Sequence, residues 1–248
     1  MSKVLKFLRS DLAEYLQLPY GVANRPMELI GDLAKEEWTN LSPKSAQDEN
    51  QFYLNTKHYL QECTDWHDKD STVRKWHKTL LKYAEKENWQ SILDYGAGIA
   101  TQSLILAEES NIPTIVIADF NCPSLSFVSW KAMKYRLEHK VKFLMFDPNL
   151  PVQLVYNDYD CIICTDVIGH STQPYAMLAE ILTHCQWTLW NSDFRVSATD
   201  RYPMHHMKPR NWDTVWDIAT QPVESFLYKS RVFGQDANEL VQRWQNIR

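Results

Sequence analysis

Ser91-Ile-Leu-Asp-Tyr-Gly-Ala-Gly-Ile-Ala-Thr-Gln102 decides how the rest of this chain is read. Residues 91–93 have the apolar character of a short buried strand. Residues 99–108, with Leu104, Ile105 and Leu106, read as the helix that follows. The turn between them carries Gly96 and Gly98. Glycine reaches tight backbone conformations and has no Cβ, so a ligand can approach the main chain there. Free amides at the helix start would face whatever sits over the turn. A dinucleotide fingerprint needs a third glycine, and position 101 is Thr. Asp94, two residues before Gly96, would meet a pyrophosphate badly and suits a cationic amino group. The competing reading of the stretch alone is an ordinary strand–turn–helix with small residues for packing.

Outward from this stretch the chain divides in two. Residues 91–248 alternate between strand and helix patterns, which implies a mostly parallel sheet with helices on both faces. Strands are expected at 113–120, 141–146, 160–165 and 187–190, with a closing antiparallel pair within 223–233. Helices are expected at 123–139, 175–185 and 212–219. Residues 1–90 read as a helical extension or cap. Its helices are expected at 3–18, 27–38 and 47–62, with a fourth capped by Ser71.

Composition limits the functions available. A chain of 248 residues, 44% hydrophobic, can bury a sizeable core. Its net charge of −5, with no run of Lys or Arg longer than a pair, argues against nucleic acid as the main partner. No apolar run approaches membrane-spanning length and no signal-peptide core is seen. Five cysteines without framework spacing suit free thiols in a reducing cytoplasm. Cys161 and Cys164 lie in an apolar strand, where residues three apart face opposite ways. Metal or redox use of that pair is therefore not expected.

Ligands of an open parallel sheet sit beyond the carboxyl ends of its strands. Four strands here end in an acid: Asp94, Asp119, Asp147 and Asp166. Each alone could be a turn former, but four on one rim repel one another unless something pairs with them. Asp119 follows Asp94 by 25 residues, near the spacing at which an acid meets a ribose diol.

Leu93-Asp-Tyr-Gly-Ala-Gly98 resembles the first motif of class I S-adenosylmethionine-dependent methyltransferases. Tyr159-Asp-Cys-Ile-Ile-Cys-Thr-Asp-Val-Ile-Gly-His170, followed by Gln173-Pro174, resembles the fourth-strand segment of the small-molecule members. The resemblance covers about residues 91–193 and implies a Rossmann-like fold with a seven-stranded sheet. It implies S-adenosylmethionine held by Asp94, Tyr95, Gly96, Ala97, Gly98, Asp119, Asp166 and Val167. It also implies Asp147 against the adenine amino group, with Phe120 and Phe146 flanking the ring. Two positions depart from the pattern. Ala100 replaces a common glycine, and Gly169 stands where many relatives have Glu before the His. No metal site is therefore expected.

Methyl transfer from a sulfonium needs aligned reactants and, for a hydroxyl or an ammonium acceptor, a base. His170 beyond the fourth strand is the first candidate, against the reading of a loop-bonded structural histidine. His205 and His206, in Arg201-Tyr-Pro-Met-His-His206, are the others, with Tyr202 beside them as a substrate contact. Tyr53, Tyr59, Trp66 and His67 precede the glycine turn and are candidates for a lid over the cofactor, with Tyr53, Trp66 and His67 as substrate contacts, against simple aromatic packing. The expected partner is a small-molecule or peptide acceptor. Competing readings are another transferase using the same cofactor, and a catalytically silent relative that only binds. A nicotinamide enzyme is disfavoured by Thr101.

Overall fold

In a computed structural model the described residues are all but 1, 19–26, 57, 192–193, 195–205, 225 and 248; of 27–32 only the backbone is described. Seven strands form one sheet: β1 Ser91–Tyr95, β2 Thr114–Asp119, β3 Val141–Met145, β4 Tyr159–Thr165, β5 Cys185–Asn191, β6 Thr220–Glu224 and β7 Leu227–Ser230. Their spatial order is β3-β2-β1-β4-β5-β7-β6. The first five are parallel. β7 runs antiparallel between β5 and β6. This is the expected Rossmann-like methyltransferase architecture, with the antiparallel pair at one edge.

Two-residue periodicity assigns each strand's side chains to two cores. Ile92, Cys161 and Ile163 face one of them, with Leu104, Ile105 and Trp76. Leu93, Ile162 and Cys164 face the other, with Leu178, Trp212 and Trp244. Cys161 and Cys164 thus lie on opposite faces. All five cysteines are free and buried. Val4, Leu5, Val73 and Trp76 belong to the first core, so the N-terminal helices are packed on the sheet directly. Among the described residues no helix is long and apolar enough to cross a membrane.

Several boundaries differ from the sequence reading, each for a local reason. The helix expected over 47–62 is two helices, Ala46–Asn55 and Tyr59–Lys69. Between them Thr56 Oγ1 donates to Glu37 Oε2 at 2.6 Å, and His58 Nδ1 meets Glu37 Oε1 at 2.9 Å. Such side-chain bonds compete with helix propagation. The helix expected over 3–18 breaks at Phe7 into Lys3–Lys6 and Leu8–Tyr15. Asp70, not Ser71, caps the helix Ser71–Lys86, accepting from Thr72 N at 2.6 Å. The helix after β1 starts at Thr101, because Ala100 takes a left-handed φ of 45°. The helix Pro123–Lys134 stops before Arg136, whose φ is 58°. A helix Ala237–Gln245, not expected from the sequence, buries Leu240 and Trp244 in the second core.

Candidate active site

β1 lies between β2 and β4, so the glycine turn emerges at the middle of the rim. Its amides turn toward β2: Gly96 N and Ala97 N donate to Ala118 O at 2.9 and 3.1 Å. Gly98 N donates to Asp119 Oδ2 at 2.7 Å, and Phe120 N donates to Oδ1 at 2.7 Å. The turn therefore grips the β2 acid through its own amides. Gly96 has φ +67° and a close neighbour: an added Cβ would lie 2.8 Å from both γ carbons of Val167, beyond β4. Only glycine lets β1 and β4 approach this closely at the rim.

Above these strand ends is a cleft of about 810 Å³ including its open mouth. It collects Tyr95, Gly96, Asp119, Phe120, Phe146, Asp166, Val167, His170 and Tyr53. Phe146 meets Tyr95 with ring centroids 4.9 Å apart and Phe120 at 5.7 Å, edge to face. The Tyr95 hydroxyl donates to Gln153 O at 3.0 Å. Gln153 in turn clamps the loop after β3, accepting from Asp147 N and donating to Asp147 O, each at 2.7 Å.

The helix Ala46–Asn55 crosses the mouth of the cleft and is tied to three rim loops. Glu49 Oε2 meets His206 Nε2 at 3.2 Å. Asn50 Nδ2 donates to Pro148 O at 2.9 Å. The Tyr53 hydroxyl meets His170 Nδ1 at 2.7 Å. His206 N also donates to Gly169 O at 2.6 Å, joining the loop after β5 to the one after β4. His170 closes a turn of 3-10 helix, Ile168–His170, set by its own backbone bond to Val167 O.

Some expected residues stand elsewhere. Asp94 is buried behind the glycine turn, where it accepts from Ser103 Oγ at 2.6 Å and ties helix Thr101–Glu109 to β1. Burial lifts its carboxyl to about 7, against the hydrogen bond from Ser103. Asp147 is exposed, and its Oδ1 accepts from Asn149 N and Nδ2 at 2.9 Å, as a turn former does. Trp66 packs edge to face on Trp76 and donates to Asp70. His67 is buried against Thr101 Oγ1 at 2.8 Å, and burial depresses it to about 3, so it is a neutral structural histidine. Ala97 is half-buried against the first core. Tyr202 and His205 lie outside the described residues. Among the described residues no three His, Cys, Asp or Glu side chains form a group able to hold a metal.

The electrostatics of the rim are set by buried acids. Burial raises Asp119 to about 6, although two amides oppose it. The Tyr53 phenol is pushed far up by burial and then by Asp166 and Glu49, so it stays protonated. Glu49, Asn50 and Gln153 were not singled out in the sequence. Their type is ordinary for helix surfaces and loops, and only the placement of helix Ala46–Asn55 brings the first two to the cleft.

No protein-family model matches the chain, and no curated protein matches it. Solved structures do. One is an O-methyltransferase family protein from Burkholderia thailandensis, at 13% identity over 85% of this chain and 72% of that one, TM-score 0.58. Another is the [4+2]-cyclase SpnF, at 16% identity over 82% and 84%, TM-score 0.52. The fold is that of the S-adenosylmethionine-dependent methyltransferases. The second neighbour's name shows that proteins of this shape are not all named for methyl transfer.

Proposed function

We propose that this protein is an S-adenosylmethionine-dependent methyltransferase acting on a small-molecule or peptide acceptor. The observation that carries the reading is the cleft at the ends of β2, β1 and β4, lined by Asp119, Asp166 and the Tyr95–Phe146–Phe120 cluster. The donor set fits the cofactor. Asp119, fixed by two main-chain amides, offers a carboxylate to ribose hydroxyls. The aromatic cluster offers a flat apolar wall to a purine. The raised Asp119 carboxyl favours a ligand that brings positive charge near it, since its ionised form is then stabilised. When bound, the cofactor supplies an activated methyl group on a sulfonium.

The rest falls to the chain. His170 is the base: the Tyr53 hydroxyl holds its ring at Nδ1, and the imidazole takes the acceptor's proton. Tyr53 orients that ring, and helix Ala46–Asn55 shields the site from water. Calorimetry tests the reading. S-adenosylhomocysteine should bind one per chain, and Asp119→Ala should weaken it roughly 10- to 100-fold through loss of charge-assisted hydrogen bonds. A folded wild-type protein that binds no adenosyl ligand refutes the proposal. The second reading follows the likeness to a cyclase: the cofactor binds, and no acceptor is ever methylated.

A further inference from the structure

Helix Tyr59–Lys69 brings Tyr59 to the cleft and packs beside the glycine turn and the start of helix Thr101–Glu109. Its Leu60 and Cys63 form one cluster with Ile99 of the glycine turn and Phe127. Its His67 reaches Thr101. Its Glu62 carries a buried atom, Oε2, with no hydrogen-bond partner among the described residues. A buried carboxylate oxygen without a donor is costly and rare in a native fold. The same helix start that carries Thr101 also carries Gln102, 2% exposed, whose Nε2 is likewise buried without a partner among the described residues. An orphaned acceptor and an orphaned donor thus belong to two helices that meet beside the glycine turn.

We propose that Glu62 is the counter-ion of the cofactor's α-ammonium group, and that it releases its proton when the cofactor binds. This rests on the methyltransferase reading. The ends of β2 and β4 stand roughly 10 Å apart across β1, about the reach of an adenosyl amino acid. The nucleoside end belongs with Asp119 and the aromatic cluster, on the β2 side. The amino-acid end then falls on the β4 side, where Asp166 and Glu62 act on each other. Its ammonium meets Glu62, and Gln102 is the matching donor for its carboxylate. The groups facing Glu62 are Asp166 from beyond β4, Tyr53 from helix Ala46–Asn55, and Cys63 on its own helix, which also feels Asp119. None of these is a cation. Burial, and then Asp166, holds Glu62 at about 7. Binding converts Glu62–COOH and ligand ammonium into a carboxylate–ammonium pair, with the proton passing to solvent.

The test is calorimetry of S-adenosylhomocysteine at about pH 7, in two buffers of different ionisation heat. Wild type should release about half a proton per ligand, and affinity should fall as pH drops below 7. Glu62→Gln should abolish that release and weaken S-adenosylhomocysteine roughly tenfold or more. Its melting temperature should match or exceed wild type. 5′-Methylthioadenosine, which lacks the amino-acid end, should lose less than about twofold. Unchanged proton release or affinity in Glu62→Gln overturns the assignment while leaving the cofactor site intact. Equal loss for both ligands overturns it too, by making Glu62 a support of the helix. If wild type binds neither ligand, the methyltransferase reading fails and the assignment falls with it.

Discussion

Replacing Gly96 and Gly98 separately by Ala tests how the rim is built. Both residues have positive φ, +67° and +54°. A left-handed alanine costs about 1–2 kcal/mol, offset by about 0.4–1 kcal/mol from the stiffer unfolded chain. At Gly98 the new methyl meets nothing within 4 Å, so that difference is the whole effect. At Gly96 it meets both Val167 γ carbons at 2.8 Å. Both methyl positions facing the glycine are filled, so no rotation about χ1 clears them. Overpacking of this kind adds about 1–3 kcal/mol. Urea unfolding should therefore give Gly98→Ala a loss of about 1 kcal/mol or less, and Gly96→Ala a loss of about 2–4 kcal/mol. Adding Val167→Ala to Gly96→Ala should recover the overpacking part, a coupling of at least about 1 kcal/mol in a double-mutant cycle. Equal effects at the two glycines, or zero coupling to Val167, would refute the account of the close approach.

With an acceptor in hand, His170→Gln should lower turnover by roughly two to four orders of magnitude with S-adenosylhomocysteine affinity unchanged. Tyr53→Phe should produce a smaller loss of the same kind; lower stability with turnover preserved would make His170 a structural residue. Asp94 bears on pH. Its folded carboxyl, at about 7, lies above the ordinary aspartate value, so the native state holds the proton more tightly than the unfolded chain. That contribution is present near pH 4 and lost as pH rises through 7. Asp94→Asn keeps an acceptor for Ser103 and should remove the decline, gaining on the order of a few kcal/mol relative to wild type above pH 7. His67 works in the opposite sense, losing stability as pH falls below the ordinary histidine range, so the difference between the two unfolding curves isolates Asp94. A pH-independent difference would sink the argument.

The fold was legible because β1, β2, β4 and β5 are short apolar runs separated by helical periods, and the glycine turn marks where the first crossover begins. The missed helix Ala237–Gln245 had a signal: Asp236 caps it by accepting from Glu239 N, and Asp-x-x-Glu is a helix start. Around the cleft, Asp119, Phe120, Phe146, Asp166 and His170 could be read from strand ends alone, because a parallel sheet sends those ends to one place. Asp94 and Asp147 share the same pattern, yet one turns inward to Ser103 and the other caps its own loop. Pattern locates a residue at the rim; it does not say which way the side chain turns. Trp66 and His67 stand away from the cleft for the related reason that a helix near the site has a back as well as a front. Glu62 sits on that helix too, and what distinguishes it is a buried oxygen without a hydrogen-bond partner among the described residues.

The four-residue helix Lys3–Lys6 has a consequence for biosynthesis. Its neighbours are distant in sequence: Ser2 Oγ donates to the Glu108 carboxylate, and Lys131 Nζ donates to Val4 O at 3.0 Å. Val4 and Leu5 are shielded by residues that leave the ribosome more than a hundred positions later. At roughly 5–20 residues per second, the newborn segment waits many seconds before its partners exist. Trp76 and Val73 wait a shorter time, until β1 and the helix Thr101–Glu109 emerge. Until then the early chain exposes the apolar faces of its helices, the kind of surface that chaperones bind. Fusions or mutations that slow translation past Lys131 lengthen that interval.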